Sequence, residues 1–273
     1  MTFTILARDP DTGHTGVATG TGYFAAGDTV PWARPGIGAV ATQALTAPEH
    51  GPHILDRLAD GAEADEAMSS VLAGDQRSAS RQVAVVDAAG RIAAHTGDRC
   101  IRHAGHVIAD DHATLANLTT EPGLPEAMSE GFAAAPGSFP CRLLAALEAG
   151  RFHGGDLRGE RSAALLVTTG DPGDPPWSSL VNLRVDDHAD PLTELRRLLH
   201  RQQAYGHLSA GLNHLFADRV DPARERLTAA RELLPQDPQV AFWCDVAFGR
   251  SIRTADPRWD ELRRRLAELD VPE

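Results

Sequence analysis

Thr2 stands directly behind Met1 and opens an alternating run, TFTILAR, over residues 2–8. If Met1 is removed, Thr2 carries a free α-amine beside its own hydroxyl, so one residue supplies both nucleophile and base. An α-amine titrates at about 7.7–8.0, near neutral pH, and is suited to take the hydroxyl proton. If Met1 is kept, Thr2 is an ordinary strand residue. Further polar residues interrupt apolar runs beside glycines. They are Arg8-Asp9, Thr42-Gln43, His95-Thr96-Gly97, the GGDLRG stretch holding Asp156 and Arg158, and RVDDH with Asp186, Asp187 and His188. Glycine lets backbone approach a ligand closely, and loop-borne polar groups often contact ligands. Each cluster also has a bland role. His95 is commonly a packed or exposed histidine, Thr42-Gln43 the solvated end of a strand, Asp186-Asp187 turn and cap chemistry, and Asp156 with Arg158 a pair within one loop. Asp186, Asp187, His188 and His95 are also types that ligate a divalent ion. Adjacent strand residues point to opposite faces, so Asp186 and Asp187 do not readily share one ion if both lie in a strand.

The elements that must position these groups follow from periodicity. Residues 2–8 and 16–22 (GVATGTG) read as strands around the turn DPDTG. Residues 36–45 form a third strand, RQVAVVD and RIAAHTG a hairpin, and 103–109 another strand. SAALLVTT (162–169) and LVNLRVDD (180–187) close the series around DPGDPPWSS. Between them lie helical stretches: HILDRLADG ending at Gly61, ADEAMSSVLAGD, EAMSEGFAAA, and FPCRLLAALEAG ending at Gly150. Strand groups followed by helix pairs predict an α+β fold of antiparallel sheets with helices on their outer faces.

From Asp190-Pro191, an N-cap and first-turn pair, the pattern is helical throughout. Two domains are expected, residues 1–203 and an all-α tail, residues 204–273. In the tail, Gly211, Ala223, Leu227, Ala230 and Pro235 match a 34-residue helix–turn–helix template, followed by a degenerate second unit. This resembles a tetratricopeptide repeat; a plain helical bundle is the alternative.

The chain has 273 residues and a net charge of −12, which disfavours nucleic acid or an anionic membrane as partner. It has no bilayer-length apolar run and no basic-then-apolar leader, so a cytoplasmic location is expected. Cys100, Cys141 and Cys244 are far apart and form no CxxC pair; Cys100, just after HTGDR, is the one near a candidate cluster. All 26 basic side chains are arginine. That excludes Schiff-base and pyridoxal-phosphate enzymes, Ser–Lys dyads and Walker-type phosphate loops. No cofactor is expected, and arginines near the site favour a substrate carboxylate through bidentate pairing.

The stretches TFTILARDPDTGHTGVA, VPWARPGIGAVATQA, RQVAVVDAAGRIAAHTG, GGDLRGERSAALLV and LRVDDHADPLTELRRLL together resemble domain-of-unknown-function family 1028, of the N-terminal-nucleophile (Ntn) hydrolase superfamily. The resemblance spans about residues 2–200. It implies a four-layer αββα sandwich and amide hydrolysis by an N-terminal threonine. Thr2 is then the nucleophile, Gln43 the candidate side-chain amide of the oxyanion hole, and His95 and Asp156 further catalytic candidates. Arg8, Thr42, Arg158, Asp187 and His188 are the candidate substrate contacts. Many relatives carry a Ser-Lys pair after the GVA run; here that place reads Thr21-Gly22. The leading expectation is an amidohydrolase acting on a small amide or peptide-like substrate. The alternatives are a metal-dependent hydrolase and a non-catalytic binding or scaffold protein whose helical tail serves a homo-oligomer contact or a protein partner.

Overall fold

A computed structural model describes residues 2–248, 260–262 and 264. Met1, on which the N-terminal chemistry turns, and most of the second repeat-like unit lie outside the described residues. The chain is a mixed α/β protein with two antiparallel sheets, divided into compact units at Met1–Arg196 and Arg197–Glu273.

The first unit begins with β1 (Thr2–Arg8) and β2 (Thr15–Thr21), paired so that Thr4 faces Thr19 and Phe3 faces Gly20. A Cβ at Gly20 would lie 2.7 Å from the Phe3 ring, so glycine is what lets that ring lie flat on the neighbouring strand. Then come β3 (Pro31–Arg34), β4 (Gly38–Ala44), α1 (His50–Ala59), α2 (Ala64–Ala73), β5 (Arg81–Asp87) and β6 (Ile92–Thr96). β7 (Gly105–Ile108), β8 (His112–Asn117), α3 (Leu124–Ala134), α4 (Phe139–Phe152), β9 (Ser162–Thr168) and β10 (Val181–Val185) follow. One sheet has the order β10-β9-β2-β1-β8-β7 and the other β3-β4-β5-β6.

Strand alternation sorts the side chains by face. On β1, Leu6 joins Val17, Ala39, Ala41, Ala84 and Leu115 in a dry layer between the sheets. On β4 and β5, Val40, Val83 and Val85 point the other way and pack against Ile54 and Leu55 of α1 and Met68 and Leu72 of α2. α3 and α4 pack on the six-stranded sheet, where a Cβ at Gly16 of β2 would meet Leu143 at 2.8 Å. Buried His112 ties β8 to α3: its Nε2 lies 2.8 Å from Ser129 Oγ and its Nδ1 2.7 Å from Asp111.

Three sequence expectations need correction. β3 was not expected, because Pro31 and Pro35 bracket it; proline is tolerated there because β3 is an edge strand. β8 was also unexpected: HATLAN is short and half polar, yet it lies fully buried beside β1. The fourth helix does not stop at Gly150 but runs to Phe152. Gly150 is there for contact, since a Cβ would lie 2.8 Å from Met128 Cγ on α3.

The second unit is helical. The long helix α5 (Pro191–Leu215) leads into it, followed by α6 (Val220–Leu233) and α7 (Pro238–Ala247). Leu208, Leu227, Ala230, Val240 and Cys244 form its core, and a Cβ at Gly211 would meet Leu227 at 2.7 Å. Asp237 caps α7 by accepting from the N–H groups of Gln239 and Val240, and its carboxylate also takes Arg201 at 2.8 Å. No helix among the described residues is long and apolar enough to cross a membrane.

Beside α1, buried His50 sits 3.3 Å from Asp75, whose carboxylate is held at 2.6 Å by the buried Arg81. The Arg81 hydrogen bond keeps Asp75 below the usual carboxylate range. Desolvation lowers the pKa of His50 and so favours its neutral form in the fold, against the pull of Asp75. As pH falls through about 6.5, the unfolded imidazole takes up a proton more readily than the folded one, so stability is expected to fall with pH until the depressed folded value is passed. Urea unfolding at pH 7.5 and 5.5 should show this loss, and His50→Gln should shrink the difference between the two conditions.

Candidate functional site around Thr2

Thr2 is buried at the first position of β1, on the edge of the layer between the sheets. Its Oγ1 donates to Thr21 Oγ1 at 3.3 Å, across the β1–β2 pair. Its carbonyl accepts from two side-chain amides: Gln43 Nε2 at 3.2 Å, from the opposite sheet, and Asn117 Nδ2 at 3.4 Å, from β8. Both amides also donate to one acceptor, Gln82 Oε1, at 2.7 and 2.9 Å. Gln82 Nε2 in turn lies 2.9–3.0 Å from Thr96 Oγ1 and the carbonyls of Gly105 and Ala116. Thr4 Oγ1 donates to Gln43 Oε1 at 2.6 Å and shares a 2.9 Å bond with Thr19. Buried polar groups are costly unless paired, and here each amide meets partners on more than one side.

Strand register produces this cluster: Gln43 lies opposite Gln82, and Thr2 opposite Asn117. Sequence reasoning missed Gln82 and Asn117. The one signal for Gln82 was an amide placed directly before the apolar run Val83–Val86, in a strand that proved buried along its whole length.

Thr2 and Arg158 line one cavity of about 370 Å³ with Tyr23, Val30, Leu45 and Pro48. Ala44, at the end of β4, adopts a left-handed φ of 69°, which turns residues 44–46 along the cavity wall. Arg158 comes from the loop after α4 and is held by the fully buried carboxylate of Asp156. Its Nε and Nη2 lie 3.2 and 3.1 Å from the two oxygens, and its own backbone N–H donates at 2.8 Å. Asp156 also accepts from the N–H of Gly22, just after β2, at 2.5 Å. Arg161 N–H donates to the carbonyl of Thr21 at 2.8 Å, so the 156–161 loop is fixed to the end of β2 at two points. A side chain at Gly22 would meet the Gly159 carbonyl at 2.5 Å and Asp156 Oδ2 at 3.0 Å.

The other candidates divide. Gln43 is fully buried behind Thr2 and does not line the cavity. Thr42, its neighbour on the strand, faces the other way and donates to the Ala47 carbonyl at 3.3 Å. Asp187 and His188 line an adjoining open cavity of about 670 Å³ that shares Arg158 with the first. Asp187 pairs with Arg161 at 2.6 Å, and His188 Nδ1 accepts from the Asp190 N–H. His95 is on β6 with its ring 3.0 Å from the Ser78 carbonyl, outside the Thr2 cavity. Arg8 is at the far end of β1, about 20 Å along the strand, where it donates to the Ala88 carbonyl. The described residues contain no group of three or more His, Cys, Asp or Glu placed to hold a metal ion. Cys100 donates to the Arg81 carbonyl at 3.3 Å, and burial pushes its pKa up, away from thiolate chemistry.

Gln82→Ala strands the amide hydrogens of Gln43 and Asn117 in a buried layer. It should cost about 2–4 kcal/mol of stability, read by urea unfolding at neutral pH. Gln82→Glu, which keeps both acceptor bonds, should cost less at a pH where the new carboxyl is protonated than where it is ionised.

Protein SPO2555 from Silicibacter pomeroyi, a crystal structure of family DUF1028, is 35% identical with a TM-score of 0.67, over 73% of this chain and 85% of that one. Anbu (ancestral beta-subunit) from Yersinia bercovieri aligns over 79% of this chain and 97% of its own, at 10% identity and a TM-score of 0.36, too slight a likeness to carry weight. No curated protein matches the chain. Residues 2–195 match the model of a family of unknown function, DUF1028, and the chain belongs to that family.

Proposed function

We propose that this protein is an amidohydrolase of the Ntn type, with Thr2 as nucleophile once Met1 has been removed. The observation that carries the proposal is the placement of Thr2. It is the first strand residue, its carbonyl is gripped by two side-chain amides, and it lines a cavity whose other lining residues include an arginine. Support also comes from the layering of the first unit, with α1 and α2 on one sheet, α3 and α4 on the other, and a dry layer between, as in a four-layer αββα sandwich.

In this reading the free α-amine of Thr2 takes the proton from Oγ1 as the oxygen attacks an amide carbonyl. The tetrahedral intermediate collapses, the ammonium returns its proton to the leaving amine, and an acyl ester remains on Thr2. Water, deprotonated by the same amine, releases the acid. No lysine is needed, as a lysine-free chain requires. Thr21 Oγ1, 3.3 Å from the nucleophile, fixes its rotamer. Gln43 uses one amide hydrogen on the Thr2 carbonyl and one on Gln82, so its part is to hold the nucleophile in place rather than to meet the oxyanion. The tail's helices, α5 to α7, are suited to the tetratricopeptide-like role of presenting a surface to a partner.

Intact-mass measurement of the native protein should show loss of Met1. Hydrolysis of a panel of small amides should vanish in Thr2→Ala with folding retained, and should persist at a reduced rate in Thr2→Ser. The rate should rise with pH through the titration of the α-amine, at about 7.7–8.0. Full activity in a protein that keeps Met1 would rule the mechanism out.

A further inference from the structure

We propose that Arg81 is a positioning residue of the Thr2 site: its guanidinium, anchored on Asp75, holds the Leu45 carbonyl and so fixes the 44–46 segment that walls the cavity. This rests on the amide-hydrolase reading and adds a residue that keeps the site in shape without lining it. Arg81 opens β5, and Gln82 follows it. Successive strand side chains point to opposite faces. Gln82 enters the layer between the sheets, where it accepts from Gln43 and Asn117, the two amides on the Thr2 carbonyl. Arg81 points the other way, to the face where Val83 and Val85 meet α1 and α2. There its Nε donates to Asp75 at 2.6 Å and its Nη1 donates to the Leu45 carbonyl. One strand end thus serves the nucleophile from one face and the cavity wall from the other.

The wall is a segment that needs holding. Ala44 has a left-handed φ of 69°, which a residue with a Cβ adopts at a cost and keeps only where its surroundings enforce it. Leu45 is gripped on both sides: its N–H donates to the Ser80 carbonyl at 3.1 Å, and its carbonyl accepts from Arg81. Ala44, Leu45 and Thr46 then run along the cavity that Thr2 lines. The clamp itself is fixed. Arg81 is only 2% exposed, and its own carbonyl accepts from the Gly97 N–H at 2.9 Å and from Cys100 Sγ at 3.3 Å. Asp75 is oriented in turn by the Arg77 N–H at 2.8 Å. A buried cation is costly unless its hydrogen bonds are met, and a guanidinium meets two partners in fixed directions, which a single ammonium does not. An arginine at this position therefore fits a clamp between two elements better than a simple ion pair.

The test uses the full chain with Arg81→Met and Asp75→Asn together, which removes the buried charge pair and leaves an amide for the Arg77 N–H. Hydrogen exchange, read by mass spectrometry with no substrate present, should speed up about tenfold or more in a peptide spanning residues 44–47, while β5 and α1 stay within about twofold. With an amide that the parent protein hydrolyses, KM should rise about fivefold or more, because the wall meets the ligand; a mere loss of folded protein would lower kcat and leave KM unchanged. Where the double variant does not fold, Arg81→Lys, which keeps a charge on Asp75 but lacks the fork, is read in the same two ways. Unchanged exchange at 44–47, or faster exchange spread evenly over the first unit, would overturn the proposal. No hydrolysis by the parent protein would refute the amide-hydrolase reading alone, since the exchange result needs no turnover; hydrolysis at unchanged KM in the variants would refute the positioning role alone.

Discussion

The first unit depends on a polar plug at one end of an otherwise dry layer between two sheets. Thr2, Thr4, Thr19, Gln43, Gln82 and Asn117 are all buried there, where an unpaired donor or acceptor costs on the order of 1–3 kcal/mol. The cost is avoided because the amides close on one another and on the backbone of β1, β7 and β8. Since Gln43 and Gln82 belong to one sheet and Thr4 and Asn117 to the other, the plug fixes how the sheets slide past each other. Apolar contact between Leu6, Val17, Ala39 and Ala84 is non-directional and would tolerate a shift. Hydrogen bonds of 2.6–2.9 Å do not.

The same plug is what gives the candidate site its geometry. A residue at a strand start would ordinarily fray. Thr2 is pinned through its carbonyl from two directions and through its hydroxyl from a third. The cost of ordering the site is met by folding, before any ligand arrives. Arg158 is treated alike, with Asp156 serving as the buried anchor of a half-exposed cation.

Much of this was legible from residue order. β1, β2 and the β5–β6 hairpin follow from alternation and turn residues, and the helix pairs from their apolar periodicity. Thr2, Asp156 and Arg158 stood out because residue types that do chemistry were set beside glycines or at the chain start, and the structure gathers them at one cavity and its supporting loop. Arg8, His95 and Thr42 had the same local appearance and lie elsewhere. A cluster's position along a strand, and the face it points to, depend on pairing partners that no local pattern names. Gln82 and Asn117 were invisible for the complementary reason. A single amide in a strand has no periodicity, and its importance arises only when register sets it opposite Gln43 or Thr2. β3 and β8 were hidden by edge prolines and by polar residues that tertiary burial overrides.

The glycine after β2 has a wider consequence. The space that a side chain at position 22 would enter is filled by the Gly159 carbonyl and the Asp156 carboxylate. Any side chain at position 22 would therefore need the 156–161 loop to draw back from the end of β2. The loop that carries Arg158 and the absence of a side chain at 22 are coupled, so a substitution at the strand end is felt first in the geometry of the loop.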